Sequence, residues 1–123
     1  MSGQLIQQTW CGSFRAAADI ELNLMRPRVV FVDVDDTLVR SVGSKRIPMP
    51  DVVARVRRLH ADGATLYLWS SGGAEYARDC ATELGLEGCF AGYLPKPDVY
   101  LDDQPVHEWR YCKHVLPGNA HEV

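Results

Sequence analysis

The residues with the clearest capacity for chemistry are aspartates that directly follow a strongly apolar run. Residues 29–32 read VVFV and lead into Asp33 and Asp35. The run shows no alternation of apolar and polar residues, which is typical of a strand buried on both faces. Carboxylates at the end of such a strand are costly unless a cation or hydrogen-bond donors neutralise them. Because ligands bind at the carboxyl ends of strands in open α/β sheets, this position predicts a functional site.

Polar side chains also accompany two later apolar runs. Ser70 follows one run, Asp102 and Asp103 follow the other, and Lys96 lies shortly before that last run. Taken singly, each has a structural explanation, since a serine can cap a helix and an aspartate pair can form a turn. Right-handed crossovers between parallel strands, however, bring all these strand ends to one edge of the sheet. We therefore expect these side chains to converge with Asp33.

Convergence of these groups predicts a site for phosphoryl chemistry. Carboxylates gathered at one edge repel one another, which favours a divalent cation between them. The candidate ligands are all oxygen atoms, which favours Mg²⁺ over zinc. Carboxylates, Mg²⁺, a lysine and a hydroxyl together can position and stabilise a transferring phosphoryl group. An aspartate in such a site can act as the nucleophile and form an aspartyl-phosphate.

The elements that must position these residues follow a strand–helix alternation. Gly43-Ser44 between two β-prone arms predicts a hairpin over the site, and Pro50 and Gly85 mark a helix start and a helix end. We expect strands at 29–34, 64–69, about 90–94 and 99–101, and helices from 50 to an end at Asp62-Gly63, at 74–84 and within 105–116. This order predicts an α/β fold, a Rossmann-like three-layer sandwich with a mainly parallel central sheet.

The chain of 123 residues has room for one main domain. We divide it into an N-terminal extension at 1–27, whose apolar spacing fits both a helix and a strand, and a core at 28–123. The intervals between Thr37 and Ser70 and between Ser70 and Lys96 hold no cap domain. The predicted site is therefore open, unless a second subunit of a homo-oligomer covers it.

The composition of the chain limits which classes of partner and which cellular location the sequence favours. A net charge of −3 and a pI near 5.7 do not favour a dedicated nucleic-acid binder, although a nucleic-acid partner stays open. No apolar run approaches the ~20 residues of a membrane helix, and the first residues lack the layout of a signal peptide. The four cysteines form no CxxC pair, which favours reduced thiols and a cytoplasmic location.

The order of these motifs resembles that of the haloacid dehalogenase-like (HAD) superfamily of phosphohydrolases, in its small capless type. The first motif matches the run that ends in residues 33–37, DVDDT, and the second matches the run that ends in Ser70. The third motif matches Lys96, and the fourth matches Asp102 and Asp103 after their apolar run. The resemblance spans about residues 29–103.

The resemblance implies a role for each matched residue. Asp33 attacks phosphorus and ligates Mg²⁺. Asp35 protonates the leaving group and later activates water, while its backbone carbonyl binds the metal. Ser70, the adjacent Ser71 and Lys96 bind the phosphoryl group. Asp102 and Asp103 complete the metal site, and either of them can be the direct ligand.

The sequence thus predicts a Mg²⁺-dependent phosphatase that hydrolyses phosphate monoesters through an aspartyl-phosphate on Asp33. Its substrate would be a phosphorylated small molecule or macromolecule. The basic residues of the hairpin, Arg40, Lys45 and Arg46, either contact that substrate or form a solvated surface. Two alternatives remain, a catalytically silent binding module of the same fold and a phospho-receiver-like signalling domain. The order of motifs disfavours the receiver, whose acceptor aspartate lies on a middle strand.

Overall fold

The computed structural model describes residues 26–123, so nearly all of the predicted extension at 1–27 lies outside the described residues. The described chain forms an α/β fold with a small parallel sheet and a separate antiparallel hairpin. In chain order its elements are β1 (Val29–Asp33), β2 (Val39–Val42), β3 (Lys45–Pro48), α1 (Pro50–Ala61), β4 (Thr65–Ser70), α2 (Ala74–Glu83) and β5 (Gly92–Pro95), with short 3₁₀ helices at Glu87–Cys89, Val106–Glu108 and Pro117–Glu122.

The parallel sheet has the strand order β1-β4-β5, with β4 in the centre. Its register places Phe31 beside Tyr67 and Asp33 beside Trp69. On the other side of β4, Ser70 pairs with Pro95. Because all three strands run in the same direction, their carboxyl ends lie at one edge, as the sequence predicted.

One face of this sheet carries the core. Alternate strand residues that include Val32, Leu66 and Leu68 are buried in a single cluster with the apolar sides of both helices. The helices contribute Val52, Val56 and Leu59 from α1, and Ala77, Cys80 and Ala81 from α2. Two successive crossovers in the same direction place both helices on the same face when both are right-handed. The described residues therefore form two layers.

The opposite face of the sheet carries aromatic side chains. The Phe31 ring lies 5.2 Å from the ring of Tyr67 and 5.0 Å from that of Trp69, centroid to centroid. Phe31 is 46% exposed, so helices α1 and α2 leave this face open. The prediction of an α/β fold with a parallel sheet is confirmed at this coarser level, and the third layer is not seen among the described residues.

Local signals set the ends of the helices and of the hairpin. Pro50 opens α1, and Gly63 follows its end with φ +92°. Gly85 follows α2 with φ +71°, a left-handed conformation that glycine adopts without steric cost. Gly43, with φ +62°, lies in the turn between the antiparallel strands β2 and β3. Both helices and the hairpin are confirmed as predicted.

The two elements predicted beyond β5 are wrong. Residues 99–101 form no strand, since Val99 is 83% exposed and Leu101 is fully exposed. A run of three apolar residues between Pro97 and Pro105 is short, and without a neighbouring strand its backbone gains no ladder hydrogen bonds. The helix expected within 105–116 is reduced to the 3₁₀ turn Val106–Glu108. Among the described residues, no helix is long and apolar enough to cross a membrane.

Candidate functional site

Asp33, the last residue of β1, has both of its carboxylate oxygens engaged. The Lys96 ammonium lies 3.0 Å from Oδ1, and the Thr37 hydroxyl donates a hydrogen bond of 3.1 Å to Oδ2. The Lys96 ammonium also lies 5.7 Å from the ring centroid of Trp69. The Lys96 backbone N–H donates to the carbonyl of Ser70 at 2.9 Å, which fixes this lysine just after β5. The predicted convergence of Asp33 and Lys96 is therefore present.

The loop that carries the aspartates is anchored in the core. Val34 and Leu38 are fully buried, and the Leu38 N–H donates to the Val34 carbonyl at 2.9 Å. Between them Asp36 adopts a left-handed conformation with φ +62°, which aspartate tolerates better than most residues. This compact turn holds Asp35 exposed at the edge of the sheet, beside the half-buried Asp33.

Asp35 accepts a hydrogen bond from a residue that the sequence did not single out. The Tyr76 hydroxyl, in the first turn of α2, donates to Asp35 Oδ1 at 2.7 Å. This hydrogen bond, and after it the partial burial of the ring, raises the pKa of Tyr76 above its usual value. Tyr76 is therefore a neutral donor near pH 7. Its signal in the sequence is only an aromatic residue shortly after the SSGG turn.

Ser70 and Ser71 take different positions in the turn after β4. Ser70 is 1% exposed, and its hydroxyl oxygen accepts the Gly72 N–H at 3.0 Å. The helix cap considered for Ser70 is not observed, because Gly73 is the N-cap of α2 and the Ser70 hydroxyl instead accepts within its own turn. Ser71 is exposed. Of the residues predicted to bind phosphate, Lys96 contacts Asp33, Ser71 is accessible in the turn, and the Ser70 hydroxyl is buried.

Asp102 and Asp103 do not complete a metal site in the described part of the chain. Within residues 26–123, no three or more His, Cys, Asp or Glu side chains are grouped so that they could hold a metal ion. Asp102 is exposed and forms a local turn, in which its carboxylate accepts the Gln104 N–H at 2.9 Å. This backbone hydrogen bond is the main cause that lowers the pKa of Asp102. Asp102 thus forms the turn that was the structural explanation for this pair.

The donor set that remains near β1 is small. It consists of the Asp33 carboxylate and the backbone carbonyl of Asp35, two residues further along the same turn. Mg²⁺ is commonly held by one or two carboxylates together with water and substrate phosphate oxygens. The residues present therefore fit a magnesium ion that binds together with the substrate, and they do not form a cage made by the protein alone.

A groove of about 640 Å³ lies between the hairpin and α2, and Tyr76, whose hydroxyl contacts Asp35, is part of its lining. Its lining includes Arg46 from β3 and Tyr76 and Glu83 from α2. The Arg46 guanidinium contacts the Glu83 carboxylate at 2.6 Å and lies 5.1 Å from the ring centroid of Tyr76. The hydrogen bonds to Glu83 and then to Tyr76 raise the pKa of Arg46, so this guanidinium stays charged. Sequence reasoning treated Arg46 only as part of a basic hairpin and missed its contacts with α2.

The fold and site define an α/β domain with a carboxylate–lysine pair at the carboxyl edge of a parallel sheet. The family model described as "Protein of unknown function (DUF705)" matches residues 10–95, which is more than half of the chain, and the chain belongs to this family. No curated protein and no solved structure matches the chain.

The predicted membership of the haloacid dehalogenase-like superfamily is wrong, because the family match is to DUF705 and to no family of that superfamily. The resemblance depended on short motifs, and the strand required by the fourth of them is absent. The matched range contains Asp33, Asp35 and Ser70 and ends just before Lys96.

Proposed function

We propose that this protein is a phosphatase that hydrolyses phosphate monoesters, with Asp33 as its nucleophile and Mg²⁺ as its cofactor. The observation that carries the proposal is the Asp33–Lys96 pair, with 3.0 Å between carboxylate oxygen and ammonium, at the carboxyl edge of the sheet. A lysine at this distance can neutralise a phosphoryl group that approaches the carboxylate. Asp35 lies two residues further on and is exposed, as a proton donor to a leaving group must be.

The reaction proceeds in two displacements at phosphorus. A carboxylate oxygen of Asp33 forms a bond to phosphorus while the bond from phosphorus to the ester oxygen breaks, and protonated Asp35 gives its proton to that oxygen. Asp35, now a carboxylate, takes a proton from a water molecule whose oxygen attacks the aspartyl-phosphate. Inorganic phosphate leaves, and the Asp33 carboxylate and protonated Asp35 are regenerated. Lys96 stabilises the charge on the phosphoryl oxygens throughout.

The Asp33 carboxylate and the Asp35 backbone carbonyl would hold the magnesium ion. When bound, Mg²⁺ neutralises charge on the phosphoryl oxygens. Ser71, exposed in the turn after β4, can donate a hydrogen bond to the same phosphoryl group. The Ser70 hydroxyl can donate while it accepts the Gly72 N–H, but it is buried, so the turn would have to move before a phosphoryl group could reach it.

The proposal also covers the class of substrate, the cellular compartment and a third layer of the fold. The edge of the sheet is open at Asp35, so the substrate can be a phosphorylated small molecule or a macromolecule. A reducing compartment such as the cytoplasm suits Cys80, Cys89 and Cys112, which are all free thiols. We also propose a third layer over the open face of the sheet, since parallel sheets are almost always covered on both faces.

A catalytically silent phosphate-binding module is the second candidate. The observations that favour it are the buried hydroxyl of Ser70 and the position of Asp102 and Asp103 outside any metal-binding group of the described residues. Such a module would keep the Asp33–Lys96 pair and bind a phosphoryl group without turnover.

The test is hydrolysis of 4-nitrophenyl phosphate in Mg²⁺ and in EDTA by the wild type, Asp33→Asn and Asp36→Asn. We expect Mg²⁺-dependent turnover that Asp33→Asn lowers by at least about 10³-fold, as expected for loss of a nucleophile. Asp36→Asn is the matched control, because it makes the same chemical change three residues away and asparagine also tolerates the left-handed conformation. We expect it to change the rate by less than about 2-fold, since Asp36 touches no reacting group.

Two results would contradict the proposal, the first for the nucleophile and the second for the activity itself. Full turnover by Asp33→Asn would exclude this residue as the nucleophile. Binding of beryllium fluoride with Mg²⁺ by the wild type, without hydrolysis of any aryl or alkyl phosphate, would support the silent module instead.

A further inference from the structure

The Arg46 side chain links the hairpin to α2. Its guanidinium contacts Glu83 at 2.6 Å, and the same group lies over the Tyr76 ring at 5.1 Å. The Arg46 side chain is 28% exposed, so these contacts are less screened by water than those of a fully exposed pair. Tyr76 therefore lies between the hairpin on one side and the carboxylate of Asp35 on the other.

The hydrogen bond from Tyr76 defines which oxygen of Asp35 can carry a proton. Tyr76 donates to Oδ1, which leaves Oδ2 as the oxygen that can carry the proton. A protonated Asp35 thus carries its proton on Oδ2, while Oδ1 keeps accepting from Tyr76 as a carbonyl oxygen. The same hydrogen bond forms when Asp35 is a carboxylate, so it can hold the carboxyl group in one orientation in both protonation states.

Asp35 needs such support because its loop fixes the backbone but leaves the carboxyl group exposed. It is exposed, and it precedes the left-handed residue Asp36. An exposed aspartate without a partner samples several rotamers, and most of them direct its proton away from a leaving group. A misplacement of about 1 Å can cost on the order of 10²-fold in rate.

We propose that Tyr76 is a positioning residue that orients Asp35 as the general acid, and that Arg46 and Glu83 hold Tyr76 in place for this purpose. The hairpin and α2 then set the direction of proton transfer jointly, although neither contributes a group that reacts. This inference rests on the proposed phosphatase function and adds to it the device that positions the acid.

The test compares two classes of leaving group in Tyr76→Phe, which keeps the ring beneath Arg46 and removes only the hydroxyl. The 4-nitrophenolate group leaves without a proton, whereas an alkoxide such as that of 2-phenylethyl phosphate needs the acid. We expect kcat to fall by about 10–100-fold for the alkyl phosphate and by less than about 3-fold for 4-nitrophenyl phosphate. Asp35→Asn should give the same pattern with a larger loss, about 10²–10⁴-fold for the alkyl phosphate. Adding Tyr76→Phe to Asp35→Asn should cost nothing further.

Tyr93→Phe is the matched control, because the Tyr93 hydroxyl also makes one hydrogen bond, of 3.0 Å, to the Glu87 carbonyl away from Asp35. Arg46→Gln is a second variant that leaves Tyr76 itself intact, and it should lower the alkyl rate selectively but less. Equal losses on both substrates in Tyr76→Phe, or the same selective loss in Tyr93→Phe, would overturn the positioning role while leaving the phosphatase in place. Hydrolysis of neither substrate by the wild type would overturn the phosphatase and the positioning role with it.

Discussion

Asp33 and Asp35 belong to a turn whose neighbours Val34 and Leu38 are fully buried, whereas Asp102 and Asp103 follow Leu101, which is fully exposed. In sequence both pairs of acids come after an apolar run, and both were assigned to one metal site on that ground. In the structure the first run pairs with β4 over its whole length, and the second run pairs with nothing described.

This difference shows what an apolar run must do before it can position a carboxylate. A strand end is a fixed point only if its backbone has a ladder partner and its side chains are buried. The run at 29–33 meets both conditions, because alternate residues enter the core and the others contact aromatic rings of β4. The run at 99–101 meets neither condition, and Asp102 instead forms a local turn with Gln104.

The most direct test of this difference is to remove the carboxylates of Asp102 and Asp103. The double variant Asp102→Asn, Asp103→Asn should lower kcat by less than about 2-fold, because exposed charges outside the site are screened by salt. Asp33→Asn, the same chemical change in the first pair, should cost at least about 10³-fold. The measurement is the initial rate on 4-nitrophenyl phosphate as a function of Mg²⁺ concentration.

The same titration would also reveal a rearrangement of this segment. If the double variant needs at least about 10-fold more Mg²⁺ for half-maximal activity, the second pair supports the ion and must reach the site when metal and substrate bind. The contrast between the two pairs would then hold only for the protein without its ligands.

The sequence allowed the positions of β1, the hairpin and both helices to be predicted, because each has a local signal. Pro50, Gly43 and Gly85 mark turns and ends, and uninterrupted apolar runs mark strands. The approach of Lys96 to Asp33 was also predictable, since crossovers of one hand bring the ends of parallel strands together.

The contacts of Tyr76 and the burial of the Ser70 hydroxyl could not be predicted in this way. Tyr76 meets Asp35 and Arg46 across 41 and 30 residues of chain, and no periodicity reports such a tertiary contact. Ser70 lies on the core side of β4 because it follows the buried Leu66 and Leu68 at alternate positions, and an apolar run without polar alternation does not say which of its two faces carries the core.

Two leucine variants test whether the aspartate turn and residues 99–101 are packed, because each should change the free energy of unfolding by a different amount. Leu38→Ala leaves a cavity beneath the aspartate turn and should lower the free energy of unfolding by about 2–5 kcal/mol. Leu101→Ala removes the same atoms from a fully exposed side chain and should change it by no more than about 0.5 kcal/mol. Urea denaturation followed by circular dichroism measures both. Similar losses in the two variants would show that residues 99–101 are packed in solution.

The smallest expected effect concerns two cysteines, of which one is buried and the other exposed. Cys80 is buried on the core side of α2, whereas Cys112 is exposed in the chain after Asp103. Burial raises the pKa of the Cys80 thiol above its ordinary value of 9.0. The unfolded chain therefore releases this proton at a lower pH than the native protein does, so the contribution of the neutral thiol is complete below about pH 9 and declines as pH rises further. The decline is at most about 1.4 kcal/mol per pH unit.

The comparison of Cys80→Ala with Cys112→Ala isolates this contribution from other groups that titrate in the same range, Tyr76 and Tyr93 among them. Cys80→Ala destabilises the protein at pH 8 by removing buried atoms, and this loss should shrink between pH 9 and pH 10 because the variant has no thiol to ionise. Cys112→Ala removes an exposed side chain and should change the free energy of unfolding at pH 8 by no more than about 0.5 kcal/mol. Denaturant midpoints at each pH give both values. A loss for Cys80→Ala that does not vary with pH would mean that the native thiol ionises as readily as the unfolded one, and that the core beneath α2 is open to water.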